Sequence, residues 1–191
     1  MGRIVISEFV SLDGVIEDPG GAENYRHGGW SFKFDRGPEG DKFKGAELQE
    51  AEAQLLGRVT YEGFAAAWPN MNEDWFGQKM NSMPKYVFSN TLQEATWTNS
   101  TILRGDFTQQ IAKLKQDVAG AILVAGSAQL ARSLIEHDLV DELRLMVFPV
   151  LLGSGKRLFP ESTEMKKLKL KRSETTGDGV LLQVYERDPS A

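Results

Sequence analysis

The sequence predicts a three-layer α/β fold: a mixed, mostly parallel sheet of about eight strands, helices on both faces, and a C-terminal antiparallel hairpin. Three observations carry this. Short apolar runs that read as buried strands alternate with helical patterns as far as residue 137. Two strand-to-helix junctions, Leu55-Leu56-Gly57-Arg58-Val59-Thr60 and Val124-Ala125-Gly126-Ser127-Ala128-Gln129-Leu130, share one plan: apolar run, glycine, hydroxyl residue, helix. The chain then closes with two strand-like runs joined by Gly177-Asp178-Gly179.

Residues 3–10 read as the first strand, and Ser11-Leu12-Asp13-Gly14 as the turn that leaves it. Residues 17–40 hold Asp18-Pro19-Gly20-Gly21, Gly28-Gly29 and Gly37-Pro38, a density of breakers that predicts a long loop. A loop of that length in a compact chain is expected to be a functional lid, and Trp30, Phe32 and Phe34 argue against disorder. Residues 41–53 are helical by propensity. Gln54-Leu55-Leu56 follows as a short strand, and residues 60–67 as a helix that stops before Pro69. Residues 85–88 and 101–103 are the next strands. Asp106 caps a helix in which Phe107, Ile111, Leu114 and Val118 recur at helical spacing. Residues 121–125 form a strand, and 127–137 a helix with Leu130 and Leu134 on one face. Strands at 142–149, 167–175 and 180–186 finish the sheet. Residues 1–191 are expected to form a single domain.

With 191 residues, 41% of them hydrophobic, the chain is long enough to bury a core without staples. It has no cysteine, which removes disulfides, thiolate metal sites and cysteine nucleophiles. His27 and His137 have no clustered partners, so no metal is expected. The first strand is interrupted by Glu8 and does not read as a secretory signal, and no apolar run approaches the ~18 residues of a membrane span. A cytoplasmic protein without a membrane partner is the expectation. A net charge of −5 and a pI near 5.2 argue against nucleic acid as a partner. A small anion needs only local donors, so it stays open.

The two glycine junctions supply such donors. A helix start offers unpaired N–H groups and the positive end of its dipole, and a glycine lets the backbone come close to a ligand. Two such turns in one small chain suggest a dinucleotide clamped across a sheet. The usual GxGxxG of a Rossmann site is missing. Gly153-Ser154-Gly155-Lys156 fails as a P-loop, because Val150 stands where glycine is needed and Arg157 where Ser or Thr is needed.

Several motifs, taken together and in order, resemble a known family. They are Ser11-Leu12-Asp13-Gly14, Leu56-Gly57-Arg58-Val59-Thr60-Tyr61-Glu62, Pro84-Lys85-Tyr86-Val87-Phe88-Ser89, Val124-Ala125-Gly126-Ser127, Leu139-Val140-Asp141-Glu142-Leu143, and the run from Phe148 to Phe159. The chain is similar, nearly end to end, to dihydrofolate-reductase-like proteins of the branch related to the C-terminal reductase domain of bacterial riboflavin biosynthesis enzymes. The resemblance implies an NADPH-dependent reductase passing hydride to a small heteroaromatic substrate, pteridine- or pyrimidine-like, and a homodimer. It implies that Gly57, Arg58, Val59 and Thr60 meet the cofactor's phosphates, with Arg58, Ser89 and Asn90 at the 2′-phosphate. Gly126, Ser127, Ala128, Gln129 and Leu130 would hold the pyrophosphate. Gly14 would lie by the nicotinamide, and Asp13 would orient the substrate or relay its proton.

Residue chemistry agrees with the cofactor. Ser89-Asn90-Thr91 places no carboxylate where one would repel a 2′-phosphate. Trp30, Phe34, Tyr61 and Trp68 are candidates to line a flat substrate's pocket, against the ordinary role of aromatics in a core. The expectation from a different class is a non-catalytic NADP(H)-binding sensor or scaffold.

Overall fold

A computed structural model describes residues 1–159, 161 and 165–188. In chain order the elements are β1 (Arg3–Ser11), α1 (Gly37–Glu50), β2 (Ala51–Gly57), α2 (Arg58–Ala67), α3 (Trp75–Ser82), β3 (Lys85–Phe88), β4 (Ser100–Leu103), α4 (Phe107–Asp117), β5 (Ala121–Ala125), α5 (Ala128–Glu136), β6 (Glu142–Phe148), β7 (Leu168–Thr176) and β8 (Val180–Arg187). One eight-stranded sheet runs β4-β3-β2-β5-β1-β6-β8-β7. Every pair from β4 to β6 is parallel. The hairpin β7–β8 joins β6 antiparallel at one edge. The fold class predicted from the sequence is therefore the fold observed.

Alternation along β1 explains the layers. Ile4, Ile6 and Val10 face a core with Ile111 and Leu114 of α4 and Leu130 and Leu134 of α5. Val5 faces the other side, with Leu48 of α1, Tyr61 of α2 and Met80 of α3. A third cluster gathers Val15, Trp30, Phe43, Met146, Phe148 and Leu182. Because β2 and β5 are adjacent and parallel, the turns that leave them open on the same edge of the sheet.

Three sequence expectations need correction. The first predicted helix spans Gly37–Glu50, not 41–53: Pro38 sits in its first turn, where a missing N–H costs nothing, and Ala51–Ala53 are drawn into β2. Helix α3 went unseen because it has only eight residues and contains Gly77; Asp74 caps it, and a Cβ on Gly77 would lie 1.8 Å from the Met71 carbonyl oxygen. The segment read as a lid is shorter and pinned. Asp18 accepts the Ala22 and Tyr25 N–H groups at 2.6 and 3.3 Å, and the Trp30 indole donates to the Glu17 carbonyl at 2.8 Å. At its far end the Asp35 N–H donates to Asp178, and the Asp178 N–H donates back to the Asp35 carbonyl, both at 2.7 Å.

Lys85, fully buried at the start of β3, donates to the carbonyls of Asn81, Met83 and Thr98 at 2.7, 2.9 and 2.9 Å. Its ammonium lies 4.2 Å from the Trp97 ring centroid. Burial pulls its pKa down to about 8, so near neutrality it remains a cation that ties α3 to β3.

Candidate functional site

The two glycine turns are laced to each other. The Gly57 N–H donates to the Ser127 hydroxyl at 3.0 Å, and the Ser127 N–H donates to the Thr60 hydroxyl at 2.9 Å. Gly126 and Ser127 both take left-handed backbone, φ 65° and 57°. For serine this costs ~1 kcal/mol, which its two bonds offset. A Cβ on Gly126 would stand 3.3 Å from the Thr60 methyl carbon. Gly57, at φ −80° and ψ 160°, uses a conformation open to any residue, so it contributes a missing side chain rather than backbone freedom.

Helices α3 and α4 start under Asp74 and Asp106, whose carboxylates accept first-turn N–H groups. Among the described residues, helices α2 and α5, like α1, have no side-chain cap. The N–H groups of Arg58, Val59 and Thr60, and of Ala128, Gln129 and Leu130, thus open a paired set of donors at the positive ends of two dipoles. Gly57 through Thr60 and Gly126 through Leu130 are therefore brought together. Arg58 is exposed and pairs with Glu62 at 2.9 Å, one turn along α2.

Ser89 and Asn90 lie at the exit of β3, two strands from β5. The Ser89 hydroxyl accepts the N–H groups of Thr91 and Leu92 at 3.2 and 2.9 Å, and Asn90 accepts the Gly105 N–H at 3.1 Å. Both side chains hold the local turns. Arg104, at the end of β4, donates to the Ser89 carbonyl at 3.3 Å and also to the Leu92 carbonyl. Sequence reading missed this cation because no motif marks it; only the pairing of Phe88 with Leu103 brings it to Ser89.

Asp13 and Gly14 sit in the turn after β1. The Asp13 carboxylate accepts from the Ser11 hydroxyl at 2.6 Å and from the N–H groups of Leu152 and Gly153 at 3.1 and 2.8 Å. Desolvation opposes ionisation there, but the Ser11, Leu152 and Gly153 donors outweigh it and lower the pKa to about 2. Arg157 donates to the Asp13 carbonyl, and its guanidinium stands 3.9 Å from the carboxylate.

The four candidate aromatics do not converge. Trp30 and Phe34 set their edges on Phe148, at 5.3 and 5.9 Å between centroids. Tyr61 accepts the Trp97 N–H at 2.9 Å, and Trp68 packs on Phe64 and Phe76 in the other core. At 1% and 2% exposure Trp30 and Tyr61 are core residues, a correction to their expected pocket role, because their polar atoms are already spent within the chain. Phe9, hidden in the first apolar run, is the ring the sequence did not single out. It is half-buried, with Lys44 at 5.2 Å and Arg36 at 5.7 Å from its centroid.

A cleft of about 560 Å³ opens elsewhere, at the start of β6 and the end of β8, bordered by Glu142, Leu143, Leu168, Tyr185 and Arg187. It lies at the opposite end of the strands from the glycine turns. Among the described residues no helix is long and apolar enough to cross a membrane.

Comparison with known proteins places this geometry. The family model for the RibD C-terminal domain matches residues 3–182. The uncharacterized protein YwjB of Bacillus subtilis (strain 168) is 31% identical over 94% of this chain and 95% of its own. YyaP of the same strain is 30% identical over 96% and 94%. Among solved structures, a Shewanella sp. PV-4 protein assigned to riboflavin biosynthesis aligns with a TM-score of 0.78 at 24% identity, covering 97% of this chain and 99% of that one. A pyrimidine reductase-like protein from Corynebacterium diphtheriae aligns at 0.62 with 12% identity, over 97% and 92%. At those identities the two structures speak for the fold alone. The family match over nearly the whole chain goes further: the protein belongs to the RibD C-terminal domain family.

Proposed function

We propose that this protein is a cytoplasmic NADPH-dependent reductase acting on a small heteroaromatic substrate of pyrimidine or pteridine type. One observation carries the reading: two uncapped helix starts, locked together through Gly57, Ser127 and Thr60, on the carboxyl edge of a RibD-family sheet. The first-turn N–H groups of α5 would take the pyrophosphate, and those of α2 the adjoining phosphate oxygens. Arg58 and Arg104 would hold the 2′-phosphate beside Ser89. Leaving Glu62 costs Arg58 less than ~1 kcal/mol, whereas a charge-assisted bond returns ~1.5–3 kcal/mol. When bound, the nicotinamide supplies the hydride. Phe9 between Arg36 and Lys44 would seat a flat ring bearing carbonyl or anionic oxygens. Asp13, saturated with donors, would fix the β1 turn and the nearby Gly14 rather than relay a proton.

Tryptophan quenching and thermal shift with NADPH and NADH test this. NADPH is expected to bind about ten- to a hundredfold tighter. Binding of neither would overturn the cofactor reading. The second reading, a sensor or scaffold that binds NADP(H) without turnover, draws on the same saturation of Asp13; cofactor binding with no oxidation against a panel of pyrimidines and pteridines would favour it. A homodimer through β7, where Leu168 and Leu170 are 44% and 51% exposed, belongs to the proposal. Light scattering that finds a 21.2 kDa particle would end it.

A further inference from the structure

Glu8 has no part in the scheme above, yet it lies inside it. Strand alternation turns Ser7 toward α1, where its hydroxyl meets Glu47 and Lys44 at 2.9 and 2.8 Å. Glu8 falls on the opposite face of β1, the one that turns Ile4, Ile6 and Val10 into the core beneath α5. It is only 4% exposed. β1 pairs with β5 at Ser7 and Ala125, which brings Glu8 level with Gly126, and among the described residues its Oε1 has no hydrogen-bond partner. The glycine turn thus has a carboxyl group on its inner side and an uncapped helix start on its outer side.

Resting on the cofactor reading, we propose that Glu8 is the proton-linked partner of the anion seat: it keeps its proton while phosphate groups occupy the start of α5, and its ionisation weakens them. The physical reason is proximity without compensation. An ionised Glu8 would put a buried negative charge one residue from Ser127, behind the donors that attract the anion. The charges that act on Glu8 are Lys44 and Glu47 of α1, paired to each other at 2.5 Å. From β6, Arg144 is committed to Glu50, Glu142 and Glu47. From α5, Arg132 is bonded to the Arg157 carbonyl, and the β5–α5 turn itself carries no charge. Burial accordingly raises the Glu8 pKa well above the ordinary carboxylate range; Lys44 and the Gly126 N–H oppose this, and Glu47 adds to it. By linkage, a group whose ionised form repels a ligand takes up a proton when that ligand binds.

The test is calorimetric titration of the full chain with NADPH, from neutral to mildly alkaline pH, in two phosphate-free buffers of different ionisation enthalpy. Wild type is expected to take up protons on binding, with Kd rising by up to about tenfold per pH unit above the Glu8 titration. Glu8→Gln, which keeps an uncharged group of the same shape, should bind NADPH with that uptake removed and a flat pH profile. Wild-type pH dependence surviving in Glu8→Gln would overturn the inference. If Glu8→Gln does not fold, infrared difference spectra of the wild type decide: a protonated-carboxyl band that gains intensity on NADPH addition supports the link, and an unchanged band overturns it. NADPH binding without proton exchange would overturn the role of Glu8 alone. Absence of NADPH binding at every pH would overturn the cofactor reading and this inference together.

Discussion

Two turns on the carboxyl edge of the sheet use backbone donors in opposite ways. Around Asp13, the Leu152 and Gly153 N–H groups and the Ser11 hydroxyl all point inward and end on one carboxylate. Around Gly57 and Gly126, the lacing bonds consume only the Gly57 and Ser127 N–H groups, and both helices start without a side-chain cap. Each turn joins a glycine to a hydroxyl residue, so the motif alone does not mark a ligand site. What separates them is whether the chain has already supplied the acceptor.

Substitutions can break or sharpen this contrast. The largest effect is expected from Asp13→Ala, which strands two backbone donors and costs about 2–4 kcal/mol in urea unfolding while changing NADPH affinity less than tenfold. Gly126→Ala should do the reverse. Its left-handed φ and the Thr60 methyl carbon cost ~1–2 kcal/mol of stability, while NADPH binding weakens at least tenfold. Equal effects of both variants on binding would erase the distinction.

Acid titration probes the inward turn by itself. The folded pKa of Asp13, about 2, lies below its ordinary 3.8, so its contribution is present above pH 3.8 and disappears as the pH falls toward 2. That component, up to about 2 kcal/mol, should be missing from the stability profile of Asp13→Asn. Thr60→Val removes the acceptor of the Ser127 N–H without changing shape; it should cost ~1 kcal/mol and weaken NADPH binding severalfold. The smallest change in stability belongs to Arg58→Ala. Its exposed pair with Glu62 is worth under ~0.5 kcal/mol, yet the preference for NADPH over NADH should fall up to about tenfold. An undiminished preference would hand the 2′-phosphate to Arg104.

The outward turns were legible because local chemistry writes them: an apolar strand, a glycine and a helix start are neighbours in sequence. That Gly57 and Ser127 bond to each other was not, since 70 residues separate them and only the pairing of β2 with β5 closes the gap. The aromatics misled for a related reason. Composition shows that Trp30 and Tyr61 are large and apolar, but their faces are assigned by packing, which buried both. Phe9 and Arg104 carried no signal, and each gained its setting from a partner far along the chain.

By itself, then, the sequence determined the α/β class, the order of strands and helices apart from α3, and the two glycine junctions, because periodicity, breakers and caps act within a few residues. Tertiary structure decided which donors stay open, how readily each carboxyl group ionises and which rings are buried in the core. Glu8 and Asp13 make the point. They stand five positions apart on one strand and its turn, and from the sequence they are equivalent acids. One is buried with an orphaned oxygen, while the other is wrapped in donors, and desolvation against hydrogen bonding sends their pKa values in opposite directions.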